Sequence, residues 1–257
     1  MAGKSRAFVA QRREAIARVL RENGHVSVTK LAKKLDVSPL TVRRDLDYLE
    51  EHGVAARRYG EAVLSSEVEE QKDTPLCRRV KEAIAARAAQ LVSDNELVFI
   101  NTSSTALAVV EFISAQGVTV VTNSVTSQEL TSPPGATVLV TGGEVRPPRG
   151  VLSGEFALNN VRSVSATTCF VGCAGLSLAT GVTSITQQEA IVNSLMVERS
   201  ARTVLLAGSN KIGAGAGFTY ASLDQIDLLI TDEDADEATL TQLRAAGVKE
   251  IELVSVE

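Results

Sequence analysis

The sequence predicts an α/β protein in two parts, a small basic helical domain followed by a larger acidic one built on a mainly parallel, doubly wound sheet. Three observations carry that prediction. Between Ser27 and Gly60, two short helical patterns follow one another across a turn, and the second is basic. From Asn95 onward, short apolar β-branched runs alternate with helical stretches, as expected for strands buried on both faces. Charge divides along the same line: residues 1–64 hold 13 Lys/Arg against 8 Asp/Glu, and residues 65–257 hold 13 against 23. A chain of 257 residues has room for one small and one medium core.

In chain order, residues 1–7 read as a loose tail. Phe8, Arg12, Ile16, Val19 and Leu20 then share one helical face that closes near Gly24. His25-Val26 reads as a short strand able to pair with a later hairpin. His25 and His52 read as surface or packing residues rather than ligands. Val28, Leu31, Ala32 and Leu35 are spaced i, i+3, i+4, i+7, the face of a short helix. Ser38-Pro39 starts the next one, because serine can cap the first N–H groups and proline suits the first helical position. In that helix Val42, Leu46 and Leu49 form the inward stripe. Leu40, Thr41 and Arg44 face away, with Arg43 and Asp47 on the flanks. After Gly53, a helix stop, residues 54–60 can fold as a hairpin carrying Arg57, Arg58 and Tyr59. Amphipathic helix pairs and Arg-Arg pairs are common on solvated surfaces. A basic hairpin beside a basic second helix is the more specific arrangement, a winged helix-turn-helix whose second helix lies in a DNA major groove.

The boundaries that follow are 8–63 for the DNA-binding domain, 64–75 for a polar, acidic linker ending at Pro75, and 76–257 for the second domain. A helix is expected over Arg78–Val92. Strands are expected at Leu97–Ile100, Val118–Thr122, Thr137–Thr141, Cys169–Val171, Thr203–Ala207, Leu228–Thr231 and Ile251–Val254. Helices are expected at Ala106–Ala115, Ser124–Leu130, Gln187–Ala201 and Asp236–Ala246. Strands interleaved with helices in this way specify a Rossmann-like, doubly wound domain. Three cysteines without metal-ligand spacing fit a reducing cytoplasm. No metal and no cofactor is expected, nor a signal peptide or membrane span.

Open α/β sheets bind ligands beyond the carboxyl ends of their strands. The loop after the first strand, Asn101-Thr102-Ser103-Ser104-Thr105, leads hydroxyl side chains into a helix N-terminus, an anion cradle. Simple helix capping is the plainer reading of the same residues. Asn123-Ser124 repeats the form after the second strand. Gly142-Gly143 after the third, and Gly172 and Gly175 after a later one, allow backbone to come close to a small molecule. Lys211 supplies positive charge in a domain that would otherwise repel an anion.

These residues resemble the DeoR family of bacterial transcription regulators. In the first domain the match runs through Val37-Ser38, Thr41-Val42-Arg43-Arg44-Asp45-Leu46, Leu49-Glu50, Gly53, Arg57 or Arg58, and Gly60-Glu61-Ala62. In the second it runs through Lys81-x-x-Ile84-Ala85, Val120 to Ser124, Gly142-Gly143, Gly172 to Gly175 and Ser209 to Gly213, so that it spans residues 10–232. The resemblance implies a sensor domain related to ribose-5-phosphate isomerase that binds a phosphorylated sugar, and it makes a homodimer or homotetramer the expected assembly. Several positions depart from the family. Glu61 stands where a second glycine is usual, Asn101 in place of an aspartate, Gly208 in place of an aspartate before Ser209, and Asn193 in place of a lysine, whereas Glu189 is kept. These departures leave open a phosphorylated sugar or polyol, another small anion, or no effector.

The function expected is therefore a regulator, a repressor of a carbohydrate operon relieved by such a metabolite. Ser38, Leu40, Thr41, Arg43, Arg44, Arg57, Arg58 and Tyr59 would contact DNA. Asn101, Ser103, Ser104, Thr105, Asn123, Ser124, Gly142, Gly143, Gly172, Gly175, Glu189 and Lys211 would hold the effector. Coupling is expected to run through the 64–75 linker and the 78–92 helix. The rival is a sugar-phosphate isomerase-like enzyme with Glu189 and Lys211 as its acid-base pair. The carboxylates it would need near Asn101 and Ser209 are missing, which argues against it.

Overall fold

A computed structural model describes residues 9, 12–13, 15–16, 18–20, 25–51, 55–58, 61–64, 75–126, 135–146, 150–215 and 217–256. The chain divides between Thr74 and Pro75 into two compact units. Among the described residues no helix is long and apolar enough to cross a membrane.

In the first unit, strand β1 (His25–Ser27) runs into helix α1 (Val28–Lys34), and a turn leads to α2 (Pro39–Glu51). Strands β2 (Ala55–Arg58) and β3 (Glu61–Leu64) form the wing. The sheet order is β1-β3-β2, with His25 opposite Val63 and Arg58 opposite Glu61, both pairings antiparallel. Ile16, Leu20, Leu31, Val42, Leu46 and Leu49 make one buried cluster. The inward stripe read from the i, i+4, i+7 spacing of Val42, Leu46 and Leu49 is the stripe that packs. Phe8, Gly24, His52, Gly53, Tyr59, the linker residues 65–74 and the end of the helix expected over Ser124–Leu130 lie outside the described residues.

The second unit is built on seven strands, all parallel, in the order β15-β14-β12-β9-β4-β5-β6. They are β4 (Leu97–Ile100), β5 (Val118–Thr122), β6 (Ala136–Val140), β9 (Ala166–Gly172), β12 (Ser200–Leu206), β14 (Leu228–Asp232) and β15 (Glu250–Val254). All seven fall on the seven apolar runs of the sequence. Side chains alternate between faces along each strand. Val98, Ile100, Val120, Phe170, Val204 and Ile230 pack against α3 (Pro75–Ala89) and α4 (Ser104–Phe112). On the other face Phe99, Val121, Cys169, Val171, Leu205 and Leu229 meet α5 (Gly154–Arg162), α6 (Gln187–Glu198) and α7 (Glu237–Ala245). Two smaller sheets complete the unit, the hairpin β7 (Glu144–Arg146) with β8 (Val151–Ser153), and β10 (Gly175–Ser177), β11 (Gly181–Ser184) and β13 (Phe218–Ala221) in that order.

Four of the expected helices depart from expectation by more than one residue, each for a local reason. Helix α3 starts at Pro75 rather than Arg78, since proline is preorganised for a first helical turn. Helix α4 starts at Ser104 and ends at Phe112, short of Ala115, because Ile113 is extended. Ser124 does not open a helix: it bridges to Val151, and Val125 N–H donates to Gly150 O at 2.9 Å, which ties both residues to the start of β8. Helix α6 stops at Glu198, with Ser200 Oγ donating to Met196 O at 2.7 Å, and Ser200 already pairs with Ala166 in the sheet.

Candidate functional site

The outward face of α2 is set by the start of that helix. Thr41 N–H donates to Ser38 Oγ at 3.1 Å, and the two hydroxyls lie 2.8 Å apart. Ser38 is thus the cap that fixes where the helix begins. Asp36, at φ 50°, makes the turn before it. With Val42 and Leu46 held in the core, Leu40 stands 57% exposed and Arg43 and Arg44 are exposed beside it. An apolar side chain left in water on the face that carries two arginines suits contact with a duplex better than it suits a free protein. Arg57 and Arg58 occupy β2 of the wing.

One residue of this unit has a role that reading by motif missed. Asp45 is 2% exposed, and its carboxylate is held by Arg12 and, at 3.0 Å, by Arg13 Nε. Arg13 also lies over the Tyr48 ring, 3.5 Å from the centroid. Asp45 therefore ties α2 to the preceding helical residues and presents no charge to DNA. The signal was present, because Asp45 falls three residues after Val42 and one before Leu46, on the inward side.

In the second unit the chain leaves β4 toward β5 and β6, then returns to β9 on the other side of β4. The switch point of the sheet lies between the ends of β4 and β9, where a doubly wound fold opens its crevice. Asn101 sits at that point, 2% exposed. Its Nδ2 donates to Gly172 O at 3.0 Å, while Oδ1 accepts from Gly172 N at 3.0 Å and Ser103 N at 3.2 Å. Asn101 thus joins the two strand ends. Ser103 is the N-cap of α4, yet its side chain makes no capping bond. Ser104 is exposed and Thr105 buried. A Cβ on Gly172 would fall 1.9 Å from Ser103 Oγ, so Gly172 lets the hydroxyl loop come directly over β9.

Other expected positions are distributed around this centre. Asn123 is fully buried, with Nδ2 donating to Leu152 O at 3.5 Å and Oδ1 left without a partner. Ser124 Oγ lies 2.7 Å from Thr126 Oγ1. Glu189 is buried and forms a capping box with Thr186, whose Oγ1 accepts from Glu189 N–H at 3.2 Å. One turn on, Asn193 Nδ2 donates to Ser184 Oγ at 2.9 Å, and its Oδ1 is a second buried oxygen without a partner. Lys211 ends a 3-10 turn over Ser209–Lys211. Burial pushes the Cys173 thiol up to about 11, and the positive charge of Lys211 partly offsets this; Ile212, next to Lys211, bridges to Leu176, just past the loop after β9.

Two of the glycines make room for protein. A Cβ at Gly143 would lie 2.4 Å from Ser153 O, and one at Gly175 would lie 2.3 Å from Ala214 O. Of the four glycines expected at the effector site, Gly142 alone opens onto free space. Sequence reasoning also missed Asp232, 2% exposed, whose Oδ1 accepts from Ser209 N–H at 2.7 Å. It brings a carboxylate from β14 beside Gly208, the position that the resemblance marks as having lost an aspartate.

A capped helix with exposed arginines and a wing on one unit, and a sheet with a switch point on the other, are the arrangement of a DNA-binding regulator joined to a small-molecule sensor. Comparison with known proteins agrees. Residues 12–68 match the DeoR-like helix-turn-helix domain and residues 77–233 the DeoR C terminal sensor domain. The chain is 33% identical over 249 residues to the HTH-type transcriptional regulator GolR of Listeria innocua, across 94% of this chain and 97% of that one. It is 28% identical over 249 residues to the HTH-type transcriptional repressor GlcR of Bacillus subtilis, across 94% and 95%. Ribose 5-phosphate isomerase from Plasmodium falciparum is a distant structural neighbour, with a TM-score of 0.37 and 15% identity over 51% of this chain and 52% of that one. The chain belongs to the DeoR family, whose members are DNA-binding transcriptional regulators and not enzymes.

Proposed function

We propose that this regulator acts in the cytoplasm as a repressor of a carbohydrate-use operon, and that a phosphorylated sugar or polyol releases it from DNA. Residues 8–63 serve as the DNA-binding domain, 64–75 as the linker and 76–257 as the sensor. Two copies place their α2 helices in successive major grooves about 34 Å apart. Arg43, Arg44, Leu40 and Thr41 meet bases and phosphates, Ser38 sets the helix start, and Arg57, Arg58 and Tyr59 hold the backbone or the minor groove.

The observation that carries the effector reading is the loop over Gly172. Ser103 caps α4 with its hydroxyl uncommitted to the cap, at a helix N-terminus that favours an anion. Lys211 adds a cation near the same strand end. The unpartnered oxygens of Asn123 and Asn193 suit the hydroxyl groups of a sugar, since a buried acceptor without a donor is unfavourable by about 1–3 kcal/mol. Asn101 positions the loop, and Glu189 fixes the start of α6. The name of one relative, a transcriptional repressor, supports the sign of regulation.

The test is a fluorescence anisotropy titration of the full chain on the promoter fragment upstream of its own gene, at several salt concentrations, with and without a panel of pentose and hexose phosphates. Salt-sensitive binding reversed by one of these compounds is the expected result. Absence of any salt-sensitive attachment would defeat the DNA-binding half. Attachment untouched by every compound that raises the thermal midpoint would defeat the release mechanism.

A further inference from the structure

Among the described residues Phe156 is the most exposed large hydrophobic side chain, at 79%. It projects from α5, whose opposite side buries Ala157 and Val161. Helix α5 packs against the β7–β8 hairpin, and Asn160 Nδ2 ties it to the end of β6 through Thr141 O at 2.8 Å. The neighbouring elements are also apolar toward water. Leu139 on β6 and Val145 on β7 are both exposed. Leu139 pairs with Val121, which packs on the α5 face of the sheet, so it points to that same face. Strand β6 is the edge of the seven-stranded sheet.

The charges on α5 identify what would cover this surface. Glu155 and Arg162 are seven residues apart, close to one line along the helix, and both are exposed, with Arg162 Nη1 3.5 Å from Glu155 Oε2. Asn159 lies midway between them on the outward face, with Phe156 and Ser163 along the other edge. A two-fold axis through the level of Asn159 reverses the axial order and keeps each edge on its own side. It sets Glu155 of one copy against Arg162 of the other, twice, and lays each Phe156 over the small Ser163 of its mate. A patch whose opposite charges sit at equal distances on either side of its centre is self-complementary, as an isologous interface requires.

We propose that the exposed face of α5, centred on Asn159, with Phe156 as its apolar contact and Glu155 and Arg162 at its ends, is a two-fold interface between copies of this chain. The assignment holds whatever the effector is.

The experiment uses four full-length proteins: wild type, Phe156→Glu, Glu155→Arg and Arg162→Glu. Sedimentation equilibrium should give an even-numbered wild-type assembly, and each variant should halve its mass or raise the dissociation constant at least tenfold. Circular dichroism should be unchanged, because all three positions are exposed. The decisive sample is an equimolar mixture of Glu155→Arg with Arg162→Glu. One chain then carries arginine at both ends of the face and the other glutamate at both, so mixed pairs should regain near wild-type association. The ion pair within one chain has no means of producing that recovery. A monomeric wild type, a Phe156→Glu protein that associates normally, or a mixture no stronger than its components would overturn the interface.

Discussion

The side-chain amide of Asn101 and the backbone of Gly172 hold each other in both directions, Nδ2 donating to the carbonyl and Oδ1 accepting the N–H, each at 3.0 Å. The pair continues the β4–β9 ladder past its last backbone pairing, Ile100 with Phe170. Tyr220 Oη donates to the same Gly172 carbonyl at 2.9 Å. The amide carries both the donor and the acceptor this needs, whereas an ionised carboxylate accepts and cannot donate. In Asn101→Asp one carboxylate oxygen would face the Gly172 carbonyl inside a site shielded from water. The variant should lose about 1–3 kcal/mol of sensor-domain stability, read from urea unfolding of the full chain. An unchanged midpoint would show that the amide is not what joins the two strand ends.

Gly172 itself is required by close approach and not by an unusual backbone. A Cβ there would lie 2.4 Å from Ser103 Cβ as well as 1.9 Å from its Oγ. Gly172→Ala should therefore displace the 101–105 loop, weaken any effector measured by thermal shift, and destabilise the domain by about 1–3 kcal/mol. Ser103→Gly removes both atoms in the way. The double variant Gly172→Ala/Ser103→Gly should be more stable than Gly172→Ala alone, a coupling expected only of residues in contact. Additive losses would place the strain elsewhere.

The seven-strand parallel sheet was legible because each strand is a short run of β-branched and aliphatic residues that must be buried on both faces. What stayed hidden has no such run. Strands β10 and β11 are Gly-, Ser- and Thr-rich segments of three and four residues, and the four-residue β13 pairs antiparallel with β11 from more than thirty residues further along the chain. Helix α5 begins at a glycine and carries its one large aromatic side chain outward, so its most apolar residue marks the exposed face and not the buried one. The candidate sensor residues were found by topology, since strand ends and the loops after them can be read from alternation alone. Their individual roles were not. That Gly143 and Gly175 admit protein, that Asn101 is taken up by Gly172, and that Asp232 reaches Ser209 are long-range facts that no local spacing encodes.

Asp45 gives a prediction that separates folding from recognition in the small unit. Its carboxylate is almost fully buried between Arg12 and Arg13, whose side chains are 13% and 26% exposed. Removing the acid would take from both partly buried guanidinium groups the carboxylate that holds them. Asp45→Asn should destabilise the DNA-binding unit by about 3 kcal/mol, the low end for breaking a buried pair, because both arginines retain some access to water. Operator affinity and the thermal transition of this unit should fall together. If binding is lost while the transition stays in place, Asp45 acts at the duplex and its structural assignment is wrong.

Leu40 and Arg44 should behave in the opposite way. Both are exposed on α2, opposite the side that carries Val42 and Leu46 into the core, so neither supports the fold. Arg44→Ala should weaken binding to the operator by about 1–3 kcal/mol if it reads a guanine, and mainly at one base-pair position. If it contacts phosphate instead, affinity should fall about equally for all sequences and the slope of log affinity against log salt should shrink by about 1. Leu40→Ala removes apolar surface and no charge, so the salt slope should not move. Its loss should be largest where a thymine methyl lies beneath it and vanish when that base is replaced by uracil. In both variants the melting curve should superimpose on the wild type. A lowered melting curve in either would mean that the outward face of α2 has been assigned to the wrong residues.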